Sequence, residues 1–219
     1  MSDHLWGLSA EELKKKYDVS THSLKCPKCH APVVLPVFDF VNVTEHPEIK
    51  EKILNKEVFT LFCGKCGHHE LLVLPMLYKD DDKALFINLC KSEEDAIAFR
   101  FPVDDPMCKM LAETHQLRAV NGVNGLIEKI RVFDDGLSEL AIAFLKKRII
   151  EQLDSLKWVF YDHITDENIS FTVGMQNGSV KKIDFPIKAY QGAAGFVEAT
   201  GVAGRLKSYC LDANVFDEE

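Results

Sequence analysis

The chain has 219 residues, 47% of them hydrophobic, so it can bury an apolar core, and a wholly disordered protein is excluded. Its 26 Lys and Arg residues against 34 Asp and Glu residues leave a net charge of −8, which argues against nucleic acid as the main partner. The longest mostly apolar stretch, residues 71–78, is far shorter than the roughly 20 residues that cross a bilayer, and no secretory signal is visible at the start. We therefore expect a soluble cytoplasmic protein that does not bind membranes.

A short amphipathic helix is predicted at about residues 9–17, within an N-terminal element that we assign to residues 1–22. Ser9 and Glu12 have the spacing of a capping box, in which each side chain bonds to the backbone of the other residue. Leu13 and Tyr17 follow four residues apart and therefore share one face of the helix.

Four of the seven cysteines form two pairs, Cys26-Pro-Lys-Cys29 and Cys63-Gly-Lys-Cys66. A two-residue gap lets a tight turn direct both sulfurs at one point, and two such turns supply four thiolates for a tetrahedral Zn²⁺ ion. Lys25, Lys28 and Lys65 beside the pairs offset the −2 charge of such a centre. Because four ligands leave no position for water, we predict a structural zinc ion, bound by Cys26, Cys29, Cys63 and Cys66.

Other interpretations of the cysteines stay open at this stage. Iron takes four cysteines at similar spacing and is the less favoured ion. A disulfide framework is disfavoured without a signal peptide. A redox pair usually opens a helix, whereas prolines and β-branched residues follow Cys29 and indicate a strand. Neighbouring histidines are alternative ligands: His30, His68 and His69. Three further cysteines have no CxxC partner and are typical of small buried groups: Cys90, Cys108 and Cys210.

Strands and one helix are predicted between and after the cysteine pairs. The predicted strands are residues 33–43, 58–62, 70–77 and 84–89. The intervening helix has an N-cap at Thr44, a first-turn proline at Pro47 and an end at Asn55. The charged segment 79–83 separates the last two strands and predicts a hairpin turn. The first hundred residues therefore predict a strand-rich sheet with metal at one end.

Helical signals dominate residues 105–153. Asp105-Pro106 combines an N-cap residue with a proline at the first helical position. Apolar residues recur at helical spacing over 124–133 and over 137–153, with Lys146 on the opposite, solvent-facing side of the second helix. We therefore expect a helical middle of the chain.

Beyond residue 155 the apolar residues alternate instead. Residues 156–161, 169–175 and 180–185 follow this pattern, and Asn177-Gly178 supplies a two-residue hairpin turn. A helix over 187–199 follows. The prediction for the whole chain is an α+β fold: a zinc-ribbon-like antiparallel β domain elaborated with helices, a helical middle and a C-terminal antiparallel β meander.

Residues 26–153 resemble the CpXC family, which is named for two CPxC-like motifs. The resemblance rests on the cysteine pairs and on four further segments: Val43-Thr-Glu-His-Pro-Glu48 with Ile53-Leu54, Pro75-Met-Leu-Tyr78, Glu128-Lys-Ile130 and Asp134-Asp-Gly-Leu137. Gly64 and His30 depart from it, standing where proline and often glycine occur, but neither removes a ligand. The resemblance implies a zinc-bound domain, which we place at 23–155, and implies no particular activity. Residues 156–219, the meander and tail, lie outside it.

The favoured function is a zinc-stabilised protein-interaction module that is not an enzyme. Its partner is an unknown protein, and a homo-oligomer is also compatible with the sequence. A nucleic-acid-binding zinc ribbon is the first alternative, on a basic patch formed by Lys14–Lys16, Lys25, Lys28 and Lys65. A thiol-redox protein or an unidentified enzyme is the second. No GxSxG, P-loop or HExxH motif is present. One candidate acid–base cluster is Asp162, His163, Asp166 and Glu167, and a nucleophilic Cys90 or Cys108 would need a histidine such as His115.

Overall fold

The computed structural model describes residues 10–17, 19–102 and 104–201, an α+β arrangement of seven helices and eleven strands. Ser9 and Cys210 lie outside the described residues. Two compact units are present: the first runs up to Ala96 and includes Phe101–Val123, and the second comprises Ile97–Arg100 and the chain from Asn124 onward. Mixed α+β architecture with antiparallel hairpins agrees with the sequence prediction.

Two small antiparallel hairpins carry the cysteine pairs. Strand β1 (Ser20–Lys25) pairs with β2 (Pro32–Val37), and β4 (Thr60–Phe62) pairs with β5 (His69–Leu71). We call residues 20–37 and 60–74 the knuckle region. Alternate residues of β2 are buried in a cluster with Leu61, because successive side chains of a strand point to opposite faces.

A separate four-stranded sheet has the order β3-β6-β7-β8, formed by Phe40–Asn42, Met76–Asp80, Leu85–Cys90 and Gln116–Asn121. The hairpin turn predicted at 79–83 is confirmed, since β6 and β7 are antiparallel. The single strand predicted over 70–77 is wrong, because it divides into β5, which pairs with β4, and β6 in this sheet. The single strand predicted over 33–43 is wrong. It divides into β2 and β3, and β3 pairs with β6 in parallel in the other sheet. Strand β8, parallel to β7, was not predicted.

The helices of this part of the chain are α1 (Ala10–Tyr17), α2 (Pro47–Leu54), α3 (Glu93–Ala98) and α4 (Pro106–Thr114), with a 3₁₀ turn at Glu57–Phe59. Helix α2 ends at Asn55 as predicted, but the predicted cap at Thr44 is wrong. The Thr44 Oγ1 accepts a hydrogen bond from the backbone N–H of Asp81 at 2.8 Å instead. The predicted cap of α4 is confirmed, because the Asp105 carboxylate accepts from two N–H groups of the first turn.

The second unit packs helices on the predicted meander. Its elements are α5 (Gly122–Asp134), α6 (Glu139–Gln152), β9 (Leu156–Ile164), β10 (Asn168–Met175), β11 (Val180–Pro186) and α7 (Ile187–Thr200). The strand order β11-β10-β9 is antiparallel throughout. Alternate residues Ile169, Phe171 and Val173 of the central strand are fully buried against α6 and α7. The predicted boundary at residue 155 therefore falls inside one compact unit, in the exposed turn between α6 and the meander.

Among the residues that the structure describes, none of the helices combines the length and the apolar character that crossing a membrane requires.

Candidate metal centre

The two cysteine pairs lie in hairpin turns with the same backbone hydrogen bonds. The N–H four residues after the first cysteine donates to that cysteine's carbonyl, from His30 to Cys26 and from Gly67 to Cys63, both at 2.9 Å. The N–H of the first cysteine in each pair also donates to the carbonyl five residues later, from Cys26 to Ala31 at 2.9 Å and from Cys63 to His68 at 2.8 Å. His30 and Gly67 occupy equivalent positions with φ of 58° and 70°. Both turns thus reach the left-handed conformation there, and only the second uses glycine for it.

These turns bring four sulfur atoms together. The Sγ atoms of Cys26 and Cys66 are 3.7 Å apart, those of Cys29 and Cys63 are 3.6 Å apart, and all four lie within 4.8 Å of one another. A disulfide bond would require about 2.05 Å. A tetrahedral ion with metal–sulfur bonds of about 2.3 Å has sulfur–sulfur edges of about 3.8 Å. The observed spacing therefore fits shared ligation of one metal ion.

The electrostatics of the cluster also favour a cation. The backbone N–H groups of Cys66 and Lys65 stabilise the thiolate of Cys63 and lower its pKa to about 6. The N–H of Ala31 lowers the pKa of Cys29, but burial and the three other sulfurs raise it by more, to about 12. Crowded thiolates repel one another, so only a cation allows all four sulfurs to be deprotonated together.

A small apolar cluster supports the centre. Val33, Leu35, Val37 and Leu61 are buried beside Cys26 and Cys63, with Leu72 and Leu74 packed partly against them. Two of the six buried members of this cluster are thus cysteines of the centre itself.

None of the neighbouring histidines belongs to the centre. Within the described ranges, the four cysteines are the one group of Cys, His, Asp or Glu residues spaced to hold a metal ion. The predicted alternatives His30, His68 and His69 are therefore not brought into ligand position. The Nε2 of His68 is buried without a hydrogen bond, 3.7 Å from the Glu70 carboxylate.

Among the described residues, no contact joins Cys90 or Cys108 to a histidine. His115 contacts Asp81 through Nε2 at 3.0 Å and Thr114 through Nδ1 at 2.8 Å. Cys90 accepts a bond from the Asn88 amide, and burial raises the pKa of its thiol, which disfavours the nucleophilic thiolate. The cysteine–histidine arrangement considered for an enzyme is not assembled by these contacts.

The candidate acid–base loop forms ion pairs instead. Asp162 contacts Lys182 at 2.7 Å, Arg131 at 3.1 Å and His163 at 3.3 Å. Burial raises the pKa of Asp162, but Lys182 and His163 outweigh it and hold that pKa below its usual value. The contacts described for Asp162 include neither Asp166 nor Glu167.

A buried ionic network in the second unit has no counterpart in the sequence prediction. Glu128 contacts Lys146 at 2.8 Å and accepts the backbone N–H of Tyr161 at 2.6 Å, while Lys129 contacts Glu139 at 2.9 Å. The four charged side chains line a cavity of about 10 Å³, the space of about one water molecule. The solvent-facing position predicted for Lys146 is wrong, because it is 3% exposed. The helical spacing of the apolar residues in 137–153 identifies the apolar face of α6, but it gives no information about what packs against the opposite face.

Comparison with known proteins gives one match. The family model described as CpXC protein matches residues 24–146, which is more than half of the chain and includes all four clustered cysteines. Neither a curated protein nor a solved structure shows significant similarity.

Proposed function

Because the chain belongs to the CpXC family, we propose that Cys26, Cys29, Cys63 and Cys66 bind one structural zinc ion. The observation that carries this proposal is the set of sulfur–sulfur distances, since 3.6 and 3.7 Å are close to the edge of a zinc–thiolate tetrahedron. Zinc is preferred to iron because a closed four-thiolate site suits a redox-inactive ion, although iron has similar ligand geometry.

The role of the ion is to hold the knuckle region in a zinc-ribbon-like form. Strands β4 and β5 have three residues each, and their buried cluster is small. Hairpins of this size are marginal in water. Metal binding in small zinc domains contributes on the order of 10 kcal/mol, which is enough to fold such a region.

The biological role that we propose is a protein-interaction module rather than an enzyme. Four cysteine ligands leave no coordination position for a substrate or an activated water molecule. The candidate catalytic residues, His115 and Asp162, are occupied by ion pairs and hydrogen bonds. We propose the cytoplasm as the location because the ligands must remain reduced thiols to bind metal.

Metal analysis of the purified full-length chain tests the proposal. We expect about one zinc per chain and loss of that zinc in Cys63→Ser. A matched control is Cys108→Ser, which removes a thiol outside the cluster. Substitution with Co²⁺ should give the intense sulfur-to-metal absorption of a tetrahedral thiolate site. A chain that lacks bound metal after growth with zinc, or equal metal content in both variants, would contradict the proposal.

A further inference from the structure

One face of the β4–β5 hairpin exposes apolar side chains to solvent. In the register of this pair, Phe62 lies opposite His69 and Thr60 lies opposite Leu71, so these four side chains share one face. Phe62 is 58% exposed and Leu71 is 45% exposed, and Val73 follows with 39%. The other face points into the buried cluster through Leu61. Several exposed apolar side chains in a row are typical of an interaction surface.

The same hairpin has an unpaired edge. Strand β5 pairs with β4 alone within the described ranges, so the other side of β5 presents free backbone N–H and C=O groups. An extended peptide can add to such an edge by main-chain hydrogen bonds, with alternate side chains reaching the exposed face.

Charge indicates which peptide fits. The knuckle region contains three lysines, Lys25, Lys28 and Lys65, and a single acidic residue, Glu70, although the whole chain carries −8. All three lysines are exposed, and none forms an ion pair with any residue in the described part of the chain. With a zinc–thiolate centre of charge −2 the region is close to neutral overall, but that negative charge lies at buried or half-buried sulfurs, whereas the three lysines are exposed. Carboxylates of a partner would complement them.

We propose that this knuckle surface, defined as Phe62, His69, Leu71, Val73, the outer edge of β5 and the three lysines, docks an extended segment of a partner protein that combines apolar and acidic residues. The inference rests on the proposed function, because the ion holds the surface in place. A peptide is favoured over single-stranded nucleic acid because two of the four side chains, Leu71 and Val73, are aliphatic and offer no stacking surface for bases, and because an unpaired strand edge accepts a peptide backbone.

Peptide selection on the zinc-loaded, full-length chain tests the inference. The probe is a phage library of random dodecapeptides, and the best sequences are then synthesised with a fluorescent label for anisotropy titration. We expect apolar residues interspersed with Asp or Glu, and binding that weakens as salt rises. Phe62→Ser should raise Kd by about tenfold, the effect of losing a central apolar contact. The double variant Lys28→Glu/Lys65→Glu should also raise Kd, most strongly at low salt.

Val180→Ser is the matched control, since Val180 is 60% exposed on β11 in the second unit and should leave Kd unchanged. The inference is overturned if no peptide sequence is enriched or if the enriched peptides lack acidic residues. It is also overturned if Phe62→Ser binds these peptides as tightly as the wild type, or if the oligonucleotide dT20 binds the wild type more tightly than they do. Self-association that Phe62→Ser abolishes would assign the surface to a second copy and also overturn it. Zinc content is measured on each sample, so a chain that holds zinc but binds no peptide refutes the docking surface alone.

Discussion

The knuckle region and the second unit bury charged groups beside apolar clusters of very different size. In the knuckle region the buried cluster is small, and the four sulfurs of the centre form part of it. In the second unit eleven buried residues form a core around β10, and the Glu128–Lys146 and Lys129–Glu139 pairs lie at its border. Where the apolar core is small, ionic contacts to a bound metal would supply much of the stability, whereas a large apolar core tolerates buried ion pairs that add little.

Removal of the metal should produce the largest difference in stability between the two regions. Chelation, or Cys63→Ser, leaves crowded thiols without a cation, and we expect a loss on the order of 10 kcal/mol in the stability of the knuckle region. Hydrogen exchange by mass spectrometry should show loss of protection in β1, β2 and β4 while β10 keeps its protection. Cys108→Ser is the control. Unchanged exchange in β2 after verified metal removal would refute the metal as the source of its stability.

The converse change is in the apolar core of the second unit. Phe171 is fully buried on β10 and contacts the rings of Tyr161 and Phe185. Phe171→Ala should destabilise this unit by about 4 kcal/mol, through lost burial and the cavity that remains, as measured by urea unfolding. Zinc content should stay the same. Loss of zinc together with the core would show that the two regions do not hold their structure separately.

The third prediction compares two lysine–glutamate pairs of equal length. Lys146–Glu128 is almost fully buried and Lys16–Glu48 is largely exposed, and both measure 2.8 Å. Glu128→Gln removes the buried carboxylate that Lys146 contacts and should cost about 3 kcal/mol in urea unfolding. The double variant Glu128→Gln/Lys146→Met keeps a side-chain oxygen that can accept the Tyr161 N–H and should recover much of that loss. A double variant as unstable as Glu128→Gln would show that the cost comes from lost packing rather than from the lost ion pair.

A helix cap provides a smaller effect at an exposed site. The Asp105 carboxylate accepts hydrogen bonds from the N–H groups of Met107 at 2.9 Å and Cys108 at 3.1 Å. Asp105→Ala should therefore cost about 1 kcal/mol of stability and raise exchange in the first turn of α4. Asp104→Ala removes the same charge from the neighbouring exposed position and should have little effect. Equal effects of the two variants would indicate general electrostatics and not capping.

The exposed pair should give the smallest effect and a definite pH dependence. The hydrogen bond from Lys16 is the main cause that lowers the pKa of Glu48 from 4.5 to about 2, with Tyr17 contributing a further hydrogen bond. A lowered pKa in the folded state means that the pair stabilises the protein above pH 4.5 and loses this contribution as pH falls toward 2. Carboxyl chemical shifts in NMR titration should report the lowered pKa in the wild type, and a Glu48 midpoint near 4.5 would contradict the pair. Lys16→Met should return the midpoint toward the ordinary value.

The features that follow from local chemistry could be predicted. Two residues between paired cysteines are enough to define each turn, Asp105-Pro106 marks the start of α4, and Asn177-Gly178 marks the turn of the meander. Each signal depends on atoms within a few residues of one another. The alternation of Ile169, Phe171 and Val173 predicts a strand with one buried face, because the pleat itself has a period of two.

The features that depend on distant partners were decided by the tertiary structure alone. Sequence could not place β8 parallel to β7, separate β2 from β3, or bury Lys146, because each outcome is set by residues remote in the chain. A lysine on the polar side of a helix is predicted to be solvent-exposed, because the sequence does not show that another element brings a carboxylate to it. Local sequence signals therefore predict the ligand pairs, the hairpin turns and the periodicity of the strands. Which strands pair, and which charged side chains are buried, depends on contacts between distant residues. Local propensity does not encode those contacts, so only the assembled fold establishes them.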